Sequence, residues 1–288
     1  MGTRREQSAG SVRSVRTRRI AFAYPPGTLE RHYVQGDLVM SHVVAVLSGL
    51  FPEGEDFFVR SVRRYADRVT DPALKSQVAG FIGQEVTHGR EHRALNERLA
   101  QMGYPTRLVD RFTHNLMIRP DRWFSNRFQL AVTAALEHYT ATIAECLLSS
   151  PAAQRLLGDT EVRSVLLWHA LEESEHKALA FDVYRATGGS ERARINTMRL
   201  VNALFVPIVV ILTTLSAARD RAAYNPVRLI RSLARLRRSP FLTREVLTHL
   251  RAYTKPGFHP DDFDATGLVD HWKAELFGEH GRLVDHLK

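Results

Sequence analysis

Apolar positions along most of this chain recur every three or four residues, the period of an α-helix that buries one face. Proline, glycine and short polar residues separate these runs from one another. No run alternates with a period of two for long enough to indicate a β-strand. The pattern therefore predicts an all-α protein.

Helix-start and helix-stop residues divide the pattern into elements. Asp37 is a candidate N-cap, Pro52 suits the first turn of a new helix, and Asp71-Pro72 opens a long one. The predicted helices cover residues 38–50, 52–69, 72–102, part of 107–126, 127–149, 159–188, 198–218, 225–239, 240–253 and 268–287. We expect a basic disordered tail at 1–19, a four-helix bundle at 20–190 and a helical extension at 191–288.

Polar residues interrupt the apolar face of the helix predicted at 159–188. His169, Glu173 and His176 are spaced by four and three residues, so they share a face with Leu166 and Ala170. Burying an uncompensated carboxylate and two imidazoles is costly. A metal ion bound by these side chains would compensate them.

The helix predicted at 72–102 repeats this Glu-x-x-His spacing with Glu85 and His88, again on an apolar stripe. Carboxylate bundles that hold two iron or manganese ions need two such helices and one Glu from each of two further helices. Glu55 and Glu137 each precede one Glu-x-x-His helix and lie on buried faces. The predicted metal ligands are Glu55, Glu85, His88, Glu137, Glu173 and His176, in a ferritin-like four-helix bundle.

Four other residues have more than one interpretation. His169 is predicted as a seventh metal ligand, with support of another ligand as the alternative. His92, Glu172 and Asp182 are candidates to hydrogen-bond ligating side chains, which metal sites commonly require. Glu172 also competes with Glu173 as the ligand, but Glu173 alone gives the three-residue spacing to His176 and aligns with His169.

The motifs resemble known families. The ligand arrangement is similar to the ferritin-like di-iron carboxylate superfamily, and His169 resembles the additional histidine ligand of its p-aminobenzoate N-oxygenase branch. From about Arg18 onward, the phrases FPEGEDFFVRSVRRY, FIGQEVTHGREH, LEHYTA and WHALEESEHKALAFDVY resemble the bacterial family of predicted metal-dependent hydrolases.

Three functions are compatible with this site. The ligand types favour iron, with manganese or zinc as alternatives, and an O₂-dependent oxygenase or oxidase that acts on a small apolar or amine substrate with an unidentified electron donor. The second is a hydrolase in which two metal ions activate water, and the third is a non-enzymatic metal-binding protein. No nucleophile elbow, phosphate-binding loop or aspartate-rich hydrolase motif supports hydrolysis independently.

Charge and cysteine content add to this prediction. Net charge is +9, with six Arg and one Glu in residues 1–20, and nine Arg against one Asp and one Glu in residues 219–251. The single cysteine, Cys146, excludes an intrachain disulfide and fits a reducing cytoplasm. No aromatic ladder accompanies the arginines, so we do not expect nucleic acid as a partner.

The stretch 198–218 is nearly continuously apolar and has arginines at both ends. Its length is borderline for a membrane span, which needs about 20 apolar residues. It is either a core helix or a membrane-associated one, and its outer face is expected to contact an anionic membrane surface, a second subunit or the arginine-rich helices.

Overall fold

The computed structural model describes residues 15–118 and 123–288. All regular structure in these residues is helical, apart from one isolated bridge between Ile20 and Leu287. The predicted all-α class is thus confirmed. The α-helices are α1 (Leu38–Arg63), α2 (Pro72–Gln101), α3 (Thr106–Ile118), α4 (Asn126–Ser149), α5 (Pro151–Leu156), α6 (Glu161–His176), α7 (Leu179–Ala186), α8 (Glu191–Ala217), α9 (Pro226–Leu236), α10 (Arg244–Ala252) and α11 (Thr266–Phe277).

Helices α1, α2, α4 and α6 carry the predicted ligands, and they form a closed set of contacts. α1 packs on α2, α2 on α6, α6 on α4, and α4 on α1. The two Glu-x-x-His helices, α2 and α6, are therefore neighbours. One apolar cluster includes Leu99 and Trp168, and a second includes Phe81 and Leu130, so apolar side chains surround the polar interior of this unit.

Helix α1 differs from the prediction, because Pro52 lies inside one continuous helix instead of starting a second one. A proline in a helix cannot donate a hydrogen bond to the carbonyl four residues earlier. That carbonyl belongs to Ser48, and Asn96 Nδ2 of α2 donates to it over 2.8 Å. A side chain from the neighbouring helix thus supplies the missing donor, which lets α1 continue to Glu55 and beyond.

The helix predicted to run to Gly188 is also different, since it stops at His176 and resumes as α7 at Leu179. The break coincides with Lys177, whose buried ammonium donates to Glu145 Oε1 over 2.7 Å and to the carbonyl of Phe263. Both partners are distant in sequence, so the local helical pattern did not indicate the break. The final helix is shorter than predicted as well and ends at Phe277.

The basic N-terminal segment lies partly on the bundle. Residues 1–14 of the predicted tail lie outside the described residues, but residues 15–18 run along α2. Gly80 and Gly83 permit this contact: a Cβ at Gly80 would lie 2.0 Å from the carbonyl oxygen of Val15, and one at Gly83 would lie 1.9 Å from Thr17 Oγ1. Residues 15–18 of the predicted tail thus contact α2.

Residues 191–288 pack on the outside of the four helices. α8 lies against α1 and α4, α10 against α4, and α11 against α6. One helix in the described residues, Glu191–Ala217, is long and apolar enough to cross a membrane by length and composition, and 17% of its apolar window is buried. This helix therefore packs on the bundle along one side, as the core-helix alternative for 198–218 expected, while most of its apolar window is exposed.

Candidate metal centre

Four buried carboxylates and three buried imidazoles meet between α1, α2, α4 and α6. None of the seven residues is more than 4% exposed. They are Glu55, Glu85, His88, Glu137, His169, Glu173 and His176, the full set of predicted ligands. Overlapping groups of three among them have ligand atoms within 4.8 Å of one another.

Glu85 and Glu173 lie between the two Glu-x-x-His histidines. Glu173 Oε1 is 3.6 Å from both His88 Nδ1 and His176 Nε2. Glu85 Oε1 is 3.7 Å from His88 Nδ1 and 3.2 Å from His176 Nε2. The two carboxylates are thus shared, while Glu55 approaches the His88 side and Glu137 approaches His176 Nε2 at 3.2 Å.

Many of these buried donor and acceptor atoms have no hydrogen-bond partner among the described residues. Both oxygens of Glu55, Glu85 and Glu137 lack one, and so do Glu173 Oε2, His88 Nδ1 and His176 Nε2. Buried polar atoms are almost always hydrogen-bonded, because desolvation without compensation is costly. The arrangement fits a site for cations, and its oxygen and imidazole donors suit transition metals.

The other nitrogen of each Glu-x-x-His imidazole is held from outside the cluster. His88 Nε2 lies 3.0 Å from Glu172 Oε2, and His176 Nδ1 lies 2.9 Å from Gln84 Oε1. Both partners accept hydrogen bonds, so each neutral ring carries its proton on that outer nitrogen. The lone pair of the inner nitrogen then faces the carboxylates.

His169 is oriented in the same way by a series of hydrogen bonds through His92, Ser48 and Asn96. Asn96 Nδ2 donates to the Ser48 carbonyl, which fixes its amide orientation, and Ser48 Oγ donates to Asn96 Oδ1 over 2.8 Å. Ser48 Oγ then accepts from His92 Nδ1 at 2.9 Å, and His92 Nε2 accepts from His169 Nδ1 at 2.6 Å. The lone pair of neutral His169 Nε2 therefore faces Glu173 Oε1 at 2.9 Å and Glu55 Oε1 at 4.0 Å.

Two acceptors facing each other repel unless a proton or another cation lies between them. Burial opposes protonation of His176, but the Glu137 and Glu173 carboxylates outweigh this and raise the pKa of His176 well above its usual value. Burial, with His169 beside it, lowers the pKa of His88 well below its usual value. Protonation alone therefore does not compensate the whole cluster.

Burial also raises the pKa of three carboxyl groups. The pKa of Glu137 rises to about 7, and those of Glu55 and Glu85 rise well above their usual value, with the neighbouring carboxylates adding to the effect. A carboxylate of this kind regains its charge when a cation binds beside it. The electrostatics therefore also fit a cation site.

Aromatic rings and one glycine shape the surroundings. Phe51 lies 4.8 Å from His169, Phe81 lies 4.9 Å from His176, and Trp168 lies 4.9 Å from His88, each measured between ring centroids. Gly89 lets α1 approach α2, because a Cβ there would lie 3.3 Å from Glu55 Oε2. These contacts help to bury the carboxylate cluster.

Of the predicted supporting residues, the structure places His92 and Glu172 against site histidines and places Asp182 elsewhere. The Asp182 carboxylate is 2.8 Å from His259 Nε2 and has no described contact with a site histidine. Asp182 follows the break after His176, so the helical spacing from which its role was predicted does not continue that far.

Sequence reasoning missed four residues that support the site: Arg18, Ser48, Gln84 and Asn96. Arg18 Nη1 donates to Glu172 Oε1 over 2.8 Å, so it anchors the carboxylate that holds His88. Gln84 precedes Glu85 directly, which is the only local signal that any of the four offers. The contacts of the others cross between distant segments and have no sequence signature.

A second buried group of possible ligands, His32, His42 and Asp220, is an ion-pair network. Asp220 Oδ2 is 2.9 Å from His32 Nε2 and 3.3 Å from His42 Nε2, but Arg31 Nη2 also reaches it at 3.0 Å. Arg228 Nη2 is 2.7 Å from His32 Nδ1. Two guanidinium groups already supply positive charge here, so the group joins the turn after α8 to the bundle and does not invite a metal.

Comparison with known proteins agrees with a metal-dependent role. A family model described as predicted metal-dependent hydrolase matches residues 16–264. No curated protein and no solved structure matches the chain. The matched segment contains every residue of the cluster, and it begins where the N-terminal segment meets α2.

Proposed function

This chain belongs to the family of predicted metal-dependent hydrolases, and from that premise we propose that it is a hydrolase with a two-metal centre. The observation that supports the proposal is the convergence of unpartnered buried oxygens and nitrogens from α1, α2, α4 and α6. We also propose that these helices form a ferritin-like bundle, because each half contributes one Glu and one Glu-x-x-His.

In this proposal Glu85 and Glu173 would contribute to both metal positions, because each lies between His88 and His176. Glu55 and His88 would hold one ion, and Glu137 and His176 would hold the other. His169 joins the His88 side, where it shares a ligand group with His88 and Glu173. A bound metal pair supplies Lewis acidity and activates water for attack on a substrate.

The remaining residues orient the ligands and control protons. Glu172 and Gln84 fix the imidazole tautomers at His88 and His176, and His92 fixes that at His169. The rings of Phe51, Phe81 and Trp168 exclude bulk water, which strengthens electrostatic interactions inside the site. In the metal-free protein the pKa of Glu137 is about 7, so this carboxyl group can hold a proton at its oxygen until a cation binds.

A specific observation favours a second function, oxidation with O₂. The set of two single glutamates and two Glu-x-x-His pairs from four helices is the donor pattern of di-iron carboxylate proteins. Such a site would act on a small apolar or amine-bearing substrate and would require an electron donor. The family assignment favours hydrolysis. The identity of the bound metal and the source of the incorporated oxygen atom distinguish hydrolysis from oxidation.

Metal analysis is the first test. Protein reconstituted separately with Fe(II), Mn(II) and Zn(II) under argon should hold up to two ions per chain by mass spectrometry. Glu137→Ala should lose at least one of them. Glu145→Ala is the matched control, because Glu145 is on the same helix and pairs with Lys177 outside the cluster. Equal metal retention in both variants would contradict the proposed ligand set.

Isotope labelling then separates the two reactions. The metal-loaded protein is incubated with ester, amide and phosphoester probes, in H₂¹⁸O without dioxygen and in ordinary water with ¹⁸O₂. A hydrolase incorporates ¹⁸O from water and needs no dioxygen. Incorporation from ¹⁸O₂, or dioxygen uptake by the ferrous protein with a substrate, would replace hydrolysis by the oxidative function.

A further inference from the structure

The outer surface of α8 exposes a row of large apolar side chains. Leu204, Ile211 and Leu215 are 52%, 57% and 57% exposed, and their spacing places them on one side of the helix. An adjacent side packs on the bundle, where Met198, Val201 and Ser216 are buried. A continuous exposed apolar face of this kind marks an interaction surface.

Helix α9 extends this surface with an amphipathic pattern. Val227 and Ile230, three residues apart, are 63% and 66% exposed. Arg228, Arg231 and Arg235 follow one another at three and four residues on an adjacent part of the helix, and all three are exposed. An exposed helix with an apolar stripe beside a cationic stripe is typical of helices that lie in the interface of a membrane.

The charge around this surface is almost entirely positive. Between residues 219 and 244 the chain has eight arginines and one acid, Asp220, which is buried. Arg231, Arg237 and Arg238 have no ion-pair partner among the described residues. A cavity of about 280 Å³ between the start of α1 and α9 is lined by Val227, three arginines and one acid, Asp37, which lies 3.6 Å from Arg235. Cationic groups therefore outnumber the acid where they meet the apolar side chain.

We propose that the exposed faces of α8 and α9 form a docking surface for an anionic lipid membrane, with the apolar side chains among the acyl chains and the arginines against phosphate headgroups. A second copy of the chain would complement the apolar residues, but two-fold pairing would set like-charged arginines near one another. An anionic membrane complements both properties of the surface.

The contacts of α8 indicate docking along the membrane and not a span across it. Ser216 Oγ near its end is 2.8 Å from His42 Nδ1 of α1, and the Tyr139 hydroxyl of α4 donates to Asn202 near its middle. The helix is thus fastened to the bundle along its length. While these contacts persist, α8 cannot leave the bundle to cross a bilayer.

Vesicle flotation of the full-length, metal-loaded protein tests this proposal. We expect flotation with vesicles of phosphatidylcholine mixed with phosphatidylglycerol and little with phosphatidylcholine alone. Raising NaCl from about 0.1 M to about 0.5 M should weaken binding several-fold, because salt screens exposed charges. No flotation with the anionic vesicles at low salt would overturn the proposal.

Two sets of variants separate the apolar and ionic contributions. Val227→Asp with Ile230→Asp, and Arg231→Glu with Arg237→Glu and Arg238→Glu, should each lower the bound fraction at least tenfold. Val86→Asp, at another 58% exposed apolar position, and Arg155→Glu, at an exposed arginine in α5, are the matched controls and should bind as the unmodified protein does. Circular dichroism and metal content verify that all variants are folded.

Light scattering after size exclusion tests whether a second copy of the chain, and not a membrane, covers this surface. The docking proposal expects a monomer whose mass the α9 variants do not change. A stable dimer that Val227→Asp with Ile230→Asp dissociates, combined with absent vesicle binding, would assign the surface to self-association and overturn membrane docking.

Discussion

At the scale of single residues, the site depends on which nitrogen of each imidazole carries the proton. Glu172, Gln84 and His92 each accept a hydrogen bond from the outer nitrogen of one site histidine, so the inner nitrogens converge on the carboxylates. Metal-ligating histidines commonly need such partners, and losing one lowers metal affinity by about 10–100-fold. Three separate contacts thus prepare the cluster for cations.

The His92 contact yields a test, because His92→Leu removes the acceptor for His169 Nδ1. We expect metal affinity to fall by about 10–100-fold, with altered absorption of the Co(II)-substituted protein. His169→Ala should have the larger effect, since it removes the inner nitrogen itself. His138→Leu is the control, because it removes another buried imidazole whose Nε2 bonds the His249 carbonyl away from the cluster. Unchanged affinity in His92→Leu would refute the orienting role.

At the scale of the elements, α1 reaches the site only because α2 compensates its proline. Without Asn96, the buried carbonyl of Ser48 would lack a donor. The Asn96 amide also accepts a hydrogen bond from Ser48 Oγ, and Ser48 Oγ accepts one from His92. Asn96 therefore supports both the continuity of α1 and the orientation of His169. The geometry of the metal centre and the continuity of α1 are therefore linked.

A double-mutant cycle of Asn96 and Pro52 measures how far the Asn96 amide replaces the hydrogen-bond donor that Pro52 lacks. Asn96→Ala should lower the free energy of unfolding by about 1–3 kcal/mol, because a buried carbonyl loses its partner. Pro52→Ala restores a backbone N–H four residues after Ser48, so the double variant should lose less than the sum of the single changes. Denaturant unfolding measures all four proteins. Additive losses would show that Asn96 does not compensate Pro52.

At the scale of the whole molecule, the metal centre couples stability to pH. Burial and the nearby Glu173 raise the pKa of Glu137 from 4.5 to about 7. The folded metal-free protein then keeps a proton that the unfolded chain releases, so this contribution to stability is lost as pH rises from about 4.5 to about 7. Metal binding has the opposite dependence, because ligands must be deprotonated.

Glu137→Gln isolates the contribution of Glu137 to the pH dependence of stability. The glutamine amide resembles the protonated carboxyl group, and the buried histidines are unchanged. The stability of the metal-free variant relative to the metal-free natural protein should rise between pH 5.5 and pH 8. Added metal should stabilise the natural protein strongly at pH 8 and the variant much less. Denaturant unfolding at both pH values checks this, and an equal difference at the two values would contradict the raised pKa.

The sequence by itself determined the helical class and which carboxylates and histidines meet in the buried cluster. A 3.6-residue period is a local property, and Glu55, Glu85, His88, Glu137 and Glu173 each lie on an apolar face that has to turn inward. Two Glu-x-x-His pairs on such faces can meet only in a shared interior. This is why the residues that meet in the cluster were predictable without knowledge of the helix order in space.

Only the tertiary structure decided how the cluster is supported and where the helices stop. Asn96 replaces the donor that Pro52 lacks, Lys177 reaches Phe263 at the break after His176, and Arg18 crosses from the N-terminal segment to Glu172. Each contact joins residues that are far apart in the chain, so no local pattern encodes it. The support of the metal centre is a property of packing, whereas its ligands are a property of helical periodicity.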